Sequence, residues 1–244
     1  MPQRTIHHAE ALAWLGEQGV IAGASFVTSL PDFSEFPKLS LDEWKVWFTD
    51  AAARVLLACP PDGVIIFYQR DQKQAGTWVD KGHLVQKAAE RTGHAQLWHK
   101  IVCRARPGCA TFGQPGFSHL LCFSQGVRAE VGLSTPDVLP LAGEQTWTRG
   151  MGLLACEVAC RFILDQTQTR TVVDPFCGHG TVLAVANDLG LDAVGVELGR
   201  KRAERARELE VKDGVLVPRK RPGTATVGGL EDGAQPQRSG TSQG

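Results

Sequence analysis

The sequence has no excess of charge of either sign and no long apolar run. Its 244 residues include 26 Lys plus Arg and 26 Asp plus Glu, for a formal net charge of +0. Because no global positive field attracts a polyanion, any contact with nucleic acid must rest on a local basic patch. No segment approaches the roughly 18 apolar residues of a membrane-spanning helix, and the first residues lack the apolar core of a signal peptide. These absences predict a soluble intracellular protein, cytoplasmic or nuclear, with no membrane partner.

The seven cysteines contain no C-x-x-C pair, the spacing typical of zinc-binding and redox motifs. We therefore expect no metal site, and we expect the thiols to be reduced and buried. Hydrophobic residues make up 43% of the sequence, which is enough for a sizeable core. These features predict a single domain over residues 1–217. The remainder, 218–244, is rich in Gly, Ser, Gln and Pro and is predicted to be a disordered tail.

Strand and helix patterns alternate along most of the chain. Ser40 and Glu43 form a capping box that predicts the start of a helix over 40–59. Further helices are predicted over 82–93, over 150–164, from about Thr181 and after Glu197. Apolar runs predict strands over 24–29, 64–69, 95–103, 117–124, 171–174 and 192–197, with a polar loop near 70–81 and an irregular stretch over 125–147. The alternation indicates an α/β protein with a largely parallel sheet.

The segment VVDPFCGHGTVLA contains the strongest functional signal. A strand ends at Asp174, a loop contains Gly178 and Gly180, and a helix begins near Thr181. Such a loop lets backbone N–H groups and a helix N-terminus approach a ligand closely. A second strand ends in Glu197, 23 residues after Asp174, and an acidic residue at about this distance binds ribose hydroxyls in dinucleotide folds. The arrangement predicts a ligand that contains adenosine.

The charge near this loop favours one such ligand over another. A dinucleotide fingerprint needs a third glycine, but Leu183 stands at that position. Asp174 would also repel a doubly negative pyrophosphate. S-adenosylmethionine carries an ammonium and a sulfonium group instead, so an acidic strand end beside the loop favours it over NAD.

The motifs DPFCGHGT and GVELGRKRAERA resemble the cofactor half of S-adenosylmethionine-dependent amino methyltransferases that act on nucleic acids. The resemblance implies that the methionine and sulfonium end lies near the DPFCGHGT motif and that Glu197 contacts the ribose. The cofactor-binding residues implied in this way are Asp174, Phe176, Cys177, Gly178, Gly180, Thr181 and Glu197.

The order of the segments resembles that of one particular class of these methyltransferases. Too few residues of the ordered chain follow Glu197 to build the rest of a seven-stranded sheet, so the missing strands must lie upstream of the loop. This permuted order resembles that of the beta-class DNA adenine and cytosine amino methyltransferases. The match extends from about Ile6 to Glu208 and includes VTSLPDF, LWHKIVC and FSHLLCFS.

This resemblance implies a Rossmann-like, seven-stranded, mostly parallel sheet with helices on both faces, the class I methyltransferase fold with a circularly permuted motif order. Residues 1–125 would form the catalytic half and residues 144–217 the cofactor half. Glu10 occupies the position of an acidic residue that contacts the adenine amino group in the family. Thr148 and Arg149 are candidates to face the methionine carboxylate.

The tetrapeptide Ser29, Leu30, Pro31 and Asp32 matches the family's catalytic loop only in part. An exocyclic amine is a poor nucleophile because its lone pair is delocalised into the base, and hydrogen bonds that accept its protons free the lone pair. The resemblance assigns these acceptors to the side chain of Ser29 and the carbonyl of Leu30, while Pro31 rigidifies the turn. Asp32 replaces the aromatic residue that stacks on an extruded base.

Two neighbouring aromatic residues could supply the missing ring. Phe33 or Phe36 would then stack on the substrate base, while Asp32 would accept an amino proton or take up the proton released after methyl transfer. The residues Trp44, Trp47 and Trp98 have helix or strand core spacing and are interpreted as packing residues.

The segments between the predicted elements are short and contain no large target-recognition insert. This favours a structured RNA, such as tRNA, over DNA. The candidate phosphate-binding residues are Lys100, Arg104, Arg106, Arg149 and the PRKRP segment, although each could equally be a solvated surface charge. A non-catalytic module that binds S-adenosylmethionine remains the alternative, and either a homodimer or a partner subunit is compatible with the sequence.

Overall fold

The computed structural model describes residues 2–218, which form twelve strands and six α-helices. The strands are β1 Arg4–His8, β2 Ala24–Thr28, β3 Ile65–Gln69, β4 Gln72–Gln74, β5 Thr77–Val79, β6 Ala95–Cys103, β7 Phe117–Ser124, β8 Val138–Leu139, β9 Thr171–Asp174, β10 Asp192–Glu197, β11 Leu209–Lys212 and β12 Val215–Pro218. The helices are α1 Ala11–Gln18, α2 Leu41–Ala58, α3 Lys81–Arg91, α4 Leu153–Gln166, α5 Thr181–Asp188 and α6 Arg200–Glu208.

One sheet of eight strands organises the described chain, in the order β1-β10-β9-β2-β3-β7-β6-β8. All of its strand pairs are parallel except those of β7, which runs antiparallel to both β3 and β6. The predicted seven-stranded, mostly parallel sheet is therefore confirmed, and the two-residue strand β8 extends its edge. Strands β9 and β10, which come late in the chain, lie between β1 and β2.

Helices cover both faces of this sheet, as predicted. Alternate residues of each strand point to opposite faces, so Val27 joins a core with α4, α5 and α6, whereas Phe26 joins a core with α1, α2 and α3. The neighbouring strand β3 divides its side chains between the same two cores. Because the parallel strands are covered on both sides, they are nearly continuous apolar runs, and the polar residues that follow them collect at their carboxyl ends.

The capping box predicted for α2 is present. The Glu43 amide donates to Ser40 Oγ at 3.3 Å, and the Ser40 amide donates to Glu43 Oε2 at 2.8 Å. These bonds satisfy two backbone donors that would otherwise lack a partner at the helix start. They fix the start of α2 at Leu41, after the short 3-10 helix Phe33–Glu35 that follows the S-L-P-D loop. The first turns of α2 border the same cavity as the loop.

Several details differ from the sequence-based expectations. The polar loop after β3 contains a short antiparallel hairpin, β4–β5. Pro218, the first residue of the predicted tail, ends β12, while residues 219–244 of that tail lie outside the described residues. All seven cysteines lie within the described chain as free thiols; six of them are buried as expected, whereas Cys109 is exposed. In the part of the chain that the structure describes, no helix has the length and apolar character needed to cross a membrane.

Candidate active site

A cavity of about 440 Å³ lies at the carboxyl ends of the central strands β2, β9 and β10. Its volume falls in the range of small-molecule sites, roughly 300–1,000 Å³. The S-L-P-D loop follows β2, the Gly loop follows β9, and Glu197 ends β10. Because carboxyl ends of parallel strands meet at one edge of a sheet, these distant segments border one cavity.

Most of the predicted site residues line this cavity. They are Glu10, Ser29, Leu30, Pro31, Asp32, Phe36, Asp174, Phe176, Cys177, Gly178, Thr181 and Glu197. Gly180 and Phe33 do not belong to the lining. Gly180 packs against Ala206, and the ring of Phe33 lies edge-on to that of Trp44 at 6.0 Å.

Asp174 is a buried carboxylate at the end of β9, with a side chain that is 5% exposed. Its Oδ1 atom accepts hydrogen bonds from Thr28 Oγ1 at 2.6 Å and from the Phe176 amide at 3.0 Å. Burial raises the pKa of Asp174 to about 7, although the bonds from Thr28 and Phe176 act in the opposite direction. Both of these bonds use Oδ1, so Asp174 is suited to gain stabilisation from a cationic ligand in the cavity.

Glu197 organises the turn that faces Asp174. Its Oε2 atom accepts from the Gly178 amide at 3.1 Å, and its Oε1 atom accepts from the Gly199 amide at 2.6 Å. Arg202 forms an ion pair with Oε1 at 2.9 Å. The carboxylate therefore holds the Gly loop in place, and because each carboxylate oxygen has two lone pairs it retains capacity to accept from a ligand hydroxyl.

The two glycines of the loop differ in what surrounds them. Gly178 has φ of +55° and lines the cavity, and a Cβ atom there would meet no protein atom within 4 Å. Gly180 has φ of +81°, and a Cβ atom there would lie 2.9 Å from the Cα atom of Ala206. Gly178 therefore leaves room for a ligand, whereas Gly180 allows α6 to pack closely against the loop.

Glu10 begins α1 as its N-cap. Its two carboxylate oxygens accept from the amides of Leu12 and Ala13 at 3.0 and 2.7 Å. The side chain also lines the cavity. The described structure therefore gives Glu10 a helix-capping contact, and the adenine contact implied by the resemblance stays a prediction.

The S-L-P-D loop contains an ion pair that the sequence did not reveal. Lys81 Nζ lies 2.7 Å from Asp32 Oδ1, and the side chain of Lys81 is 2% exposed. The ammonium also lies 5.4 Å from the centre of the Phe48 ring. Leu30 is 2% exposed and packs in the core, which anchors the loop.

An aromatic pair lines the cavity beside this loop. The rings of Phe36 and Trp47 are 4.2 Å apart with an interplanar angle of 47°, and both line the cavity. Trp47 packs against the core as predicted, and it also lines the cavity because the first turns of α2 border the site. Trp44 is buried and Trp98 packs edge-on against Phe162, as expected of packing residues.

Further along the cavity, Trp147 lies 5.6 Å from the ring of His179, and both residues line it. His179 stands between the two glycines of the loop, and burial lowers its pKa, as do the charges of Arg205 and Arg202. The sequence pattern indicates only the residues that follow Trp147, namely Thr148 and Arg149, and of these two Arg149 lines the cavity.

Basic side chains are divided between the cavity and the rest of the surface. Arg104 and Arg149 line the cavity, whereas Arg106 is exposed outside it. The PRKRP segment lies, after Pro218, outside the described residues. Lys100 is buried and donates to the carbonyls of Thr135 and Pro136 at 2.9 and 3.1 Å. Its assignment as a phosphate contact is therefore wrong, because β6 and the neighbouring segment enclose its ammonium.

Arg70 is a cavity residue that the sequence patterns do not indicate. It donates through Nε and Nη2 to the Pro115 carbonyl at 3.0 and 2.7 Å. Arg104 donates to the Tyr68 hydroxyl at 2.9 Å and to the Thr148 carbonyl at 2.6 Å. Burial lowers the pKa of Arg70, and the charge of Arg104 adds to this effect. This part of the cavity is thus rich in cations that hydrogen bonds hold in place.

Solved structures of DNA-modifying enzymes share this architecture. A Thermus thermophilus protein described as a putative DNA modification methylase superposes with a TM-score of 0.65 at 20% identity, over 84% of this chain and 93% of that one. The structure of that protein complexed with S-adenosyl-L-methionine gives a TM-score of 0.64. The cytosine-N4-specific PvuII DNA methyltransferase gives 0.65 at 15% identity, over 85% of this chain and 86% of that one.

The chain has a class I methyltransferase fold. The late strands β9 and β10 lie between β1 and β2 in the sheet, so the predicted permuted order within this fold is confirmed. No family model matches the chain, and no curated protein matches it. The methyltransferase fold is therefore established by architecture, while the activity must be argued from the cavity.

Proposed function

We propose that this protein is an S-adenosylmethionine-dependent methyltransferase that acts on an exocyclic amino group of a nucleic-acid base. One observation carries the proposal: the Asp174 carboxylate and the S-L-P-D loop border the same cavity. A cofactor bound beside Asp174 and an amine bound at the S-L-P-D loop would meet inside this cavity. Holding two reactants together in this way is a large part of catalysis.

The cofactor end of the cavity suits a cationic ligand that contains adenosine. Asp174 is buried, and its carboxylate would be stabilised by the ammonium and sulfonium groups. Gly178 leaves open space next to the backbone, and Glu197 lies beside it to accept from the ribose. Phe176, Cys177 and Thr181 complete this end of the lining, and Glu10 is the candidate adenine contact. When bound, S-adenosylmethionine supplies the electrophilic methyl group.

The substrate end supplies hydrogen-bond acceptors and an aromatic wall. Ser29 and the Leu30 carbonyl are the proposed acceptors for the amino protons, and Asp32 adds a carboxylate next to them. Acceptors in these places favour a tetrahedral nitrogen with a free lone pair. Phe36, backed by Trp47, offers the ring on which an extruded base stacks. Phe33 lies against Trp44 instead, which makes Phe36 the better candidate.

We propose DNA adenine or cytosine as the first substrates to test. The neighbours with assigned substrates in their names are DNA enzymes, and the preference for RNA gains no support from them. That preference rests on the absence of a large insert. However, the Thermus thermophilus protein is matched over 93% of its length, so a compact chain is no argument against DNA. The cations Arg70, Arg104 and Arg149 provide the local positive charge that phosphate contacts require.

The decisive experiment incubates the protein with labelled S-adenosylmethionine and separate pools of DNA, tRNA and rRNA, and identifies the methylated nucleoside by mass spectrometry. We expect N6-methyladenine or N4-methylcytosine in DNA. Label found only in an RNA pool would show that the substrate is RNA and not DNA. The variant Asp174→Ala serves as the control and should lose both cofactor binding and labelling.

The alternative is a module that binds the cofactor without transferring its methyl group. The observation that favours it is Asp32 in place of the stacking ring, paired with Lys81. Cofactor binding without label in any pool, including the DNA and RNA of several sources, would support this alternative and contradict the enzyme.

A further inference from the structure

Lys81 carries a buried charge at the edge of the cavity. Its side chain is 2% exposed, and its ammonium lies 2.7 Å from Asp32 Oδ1. The Asp32 side chain is 25% exposed, so it is the partner that reaches the cavity surface. A cation in this position is costly to bury unless it is paired. The pair therefore fixes the orientation of the Asp32 side chain relative to the S-L-P-D loop.

A second set of polar contacts holds the backbone of Lys81. Asp71 Oδ1 accepts from the Lys81 amide at 2.8 Å, and Asp71 Oδ2 accepts from Trp78 Nε1 at 2.9 Å. His119 Nε2 lies 2.9 Å from the same Oδ2 atom, and its Nδ1 atom lies 2.9 Å from His99 Nε2. Asp71 is 3% exposed and His119 is 8% exposed. These contacts tie the start of α3 to the β4–β5 hairpin and to strands β6 and β7.

We propose that Lys81 is a positioning residue for Asp32, and that Asp32 contacts the acceptor amine through a hydrogen bond where the family uses a stacking ring. This inference rests on the proposed function. Lys81 holds Oδ1, and the other oxygen of the same carboxylate is the proposed acceptor for the substrate amine. The Asp71 network fixes where α3 begins and therefore where the ammonium lies. The substrate amine is then recognised by a directional hydrogen bond to a charged group rather than by stacking on an aromatic ring.

The test compares four variants with the wild type: Lys81→Met, Lys81→Arg, Asp32→Asn and the double variant Asp32→Asn/Lys81→Met. Each is measured for thermal unfolding, for binding of S-adenosylmethionine and for kcat and KM on the nucleic acid that the wild type methylates. Lys81→Met should lose at least about tenfold in kcat with unchanged cofactor binding, because the carboxylate is no longer held. Lys81→Arg should recover part of the loss.

The double variant separates positioning from mere stability. Asp32→Asn leaves the buried ammonium of Lys81 without its partner, so it should unfold at the lowest temperature of the four and lose kcat. The double variant removes both charges, so it should unfold at a higher temperature than Asp32→Asn while its kcat stays low. Wild-type turnover in the double variant, or in Lys81→Met, would overturn the role of Lys81 and leave the methyltransferase proposal intact. A wild type that binds cofactor and methylates no pool would instead overturn both proposals.

Discussion

Thr28 Oγ1 donates a hydrogen bond of 2.6 Å to Asp174 Oδ1, and this buried contact joins the ends of two neighbouring parallel strands. Thr28 ends β2, directly before the S-L-P-D loop, and Asp174 ends β9, directly before the Gly loop. The two halves of the proposed active site are therefore connected by a hydrogen bond as well as by the sheet. A change at Thr28 should be detectable in the binding of the cofactor.

Cofactor affinity should depend on pH through Asp174. Burial raises the pKa of this carboxyl to about 7, so the free protein holds a proton there below that pH. A cationic ligand favours the ionised form, and the proton must be released on binding. Affinity should therefore rise by up to about tenfold per pH unit as the pH approaches 7 from below, and level off above it. Isothermal titration calorimetry with S-adenosylmethionine between about pH 5.5 and 8.5 measures this profile.

The control for this profile is Asp174→Asn, which has no titrating carboxyl. Its affinity should be low and flat across the same range. The stability of the free wild-type protein should change in the opposite direction. The pKa of Asp174 is raised from 3.8 to about 7 in the folded state. The contribution of this group to the free energy of unfolding is therefore greatest below pH 3.8 and falls as the pH rises from there to about 7. A wild-type affinity that is flat with pH would contradict the assignment.

The substitution Thr28→Val should shift the same profile upwards. The hydrogen bond from the Thr28 hydroxyl lowers the pKa of Asp174, whereas burial raises it. Removing the hydroxyl should therefore raise this pKa further. The pH midpoint of cofactor binding should then move above that of the wild type, while binding at high pH recovers. Thr28→Ser keeps the hydroxyl and should retain the wild-type midpoint, provided that both variants show the wild-type circular dichroism spectrum.

Alanine at the two loop glycines should separate binding from folding. Gly180→Ala adds a methyl group 2.9 Å from the Cα atom of Ala206 at φ of +81°, and should lower the free energy of unfolding by about 2–4 kcal/mol. Gly178→Ala should cost only about 1 kcal/mol, because nothing surrounds the added group. It should nevertheless weaken cofactor binding, since the methyl group enters the space next to the loop. Chemical denaturation and calorimetry of both variants test this contrast.

Gln69 offers a site where stability can be gained. Its side chain is 0% exposed, and neither Oε1 nor Nε2 has a hydrogen-bond partner among the described residues. Replacement by Met, which has a similar length and no amide to desolvate, should raise the free energy of unfolding by about 1 kcal/mol. Gln96 is exposed on β6, so Gln96→Met should have little effect. A less stable Gln69→Met would indicate that the amide has a bound partner.

The sequence predicted features that depend on neighbours along the chain. The Gly loop, the capping box at Ser40 and the permuted order follow from local patterns and their succession. The roles of Lys81 and Trp47 depend on tertiary neighbours instead. Lys81 is 49 residues from Asp32, and no local spacing relates the two. Helical spacing places Trp47 near Trp44, but it does not reveal that the helix start borders a cavity.

The misassignment of Lys100 has a related cause. In the sequence Lys100 is one of several basic residues near Arg104, and a lysine's charge does not indicate whether its side chain is buried. In the fold, β8 pairs with β6 next to this residue, at Ile101 and Val102, and the segment before β8 supplies carbonyl partners. A two-residue strand is too short to be predicted from alternation, so its effect on Lys100 could not be foreseen.

The position of β9 and β10 between β1 and β2 sets a condition on the order of assembly. The first two strands of the chain have no bonds to each other in the sheet; each pairs with a strand from residues 171–197. A nascent chain that has reached only α4 therefore lacks the two strands that join β1 to the rest of the sheet. Contacts between segments so far apart form slowly. We expect that ribosome-bound intermediates cannot bind S-adenosylmethionine, and that the S-L-P-D loop and the Gly loop come together in one late docking step.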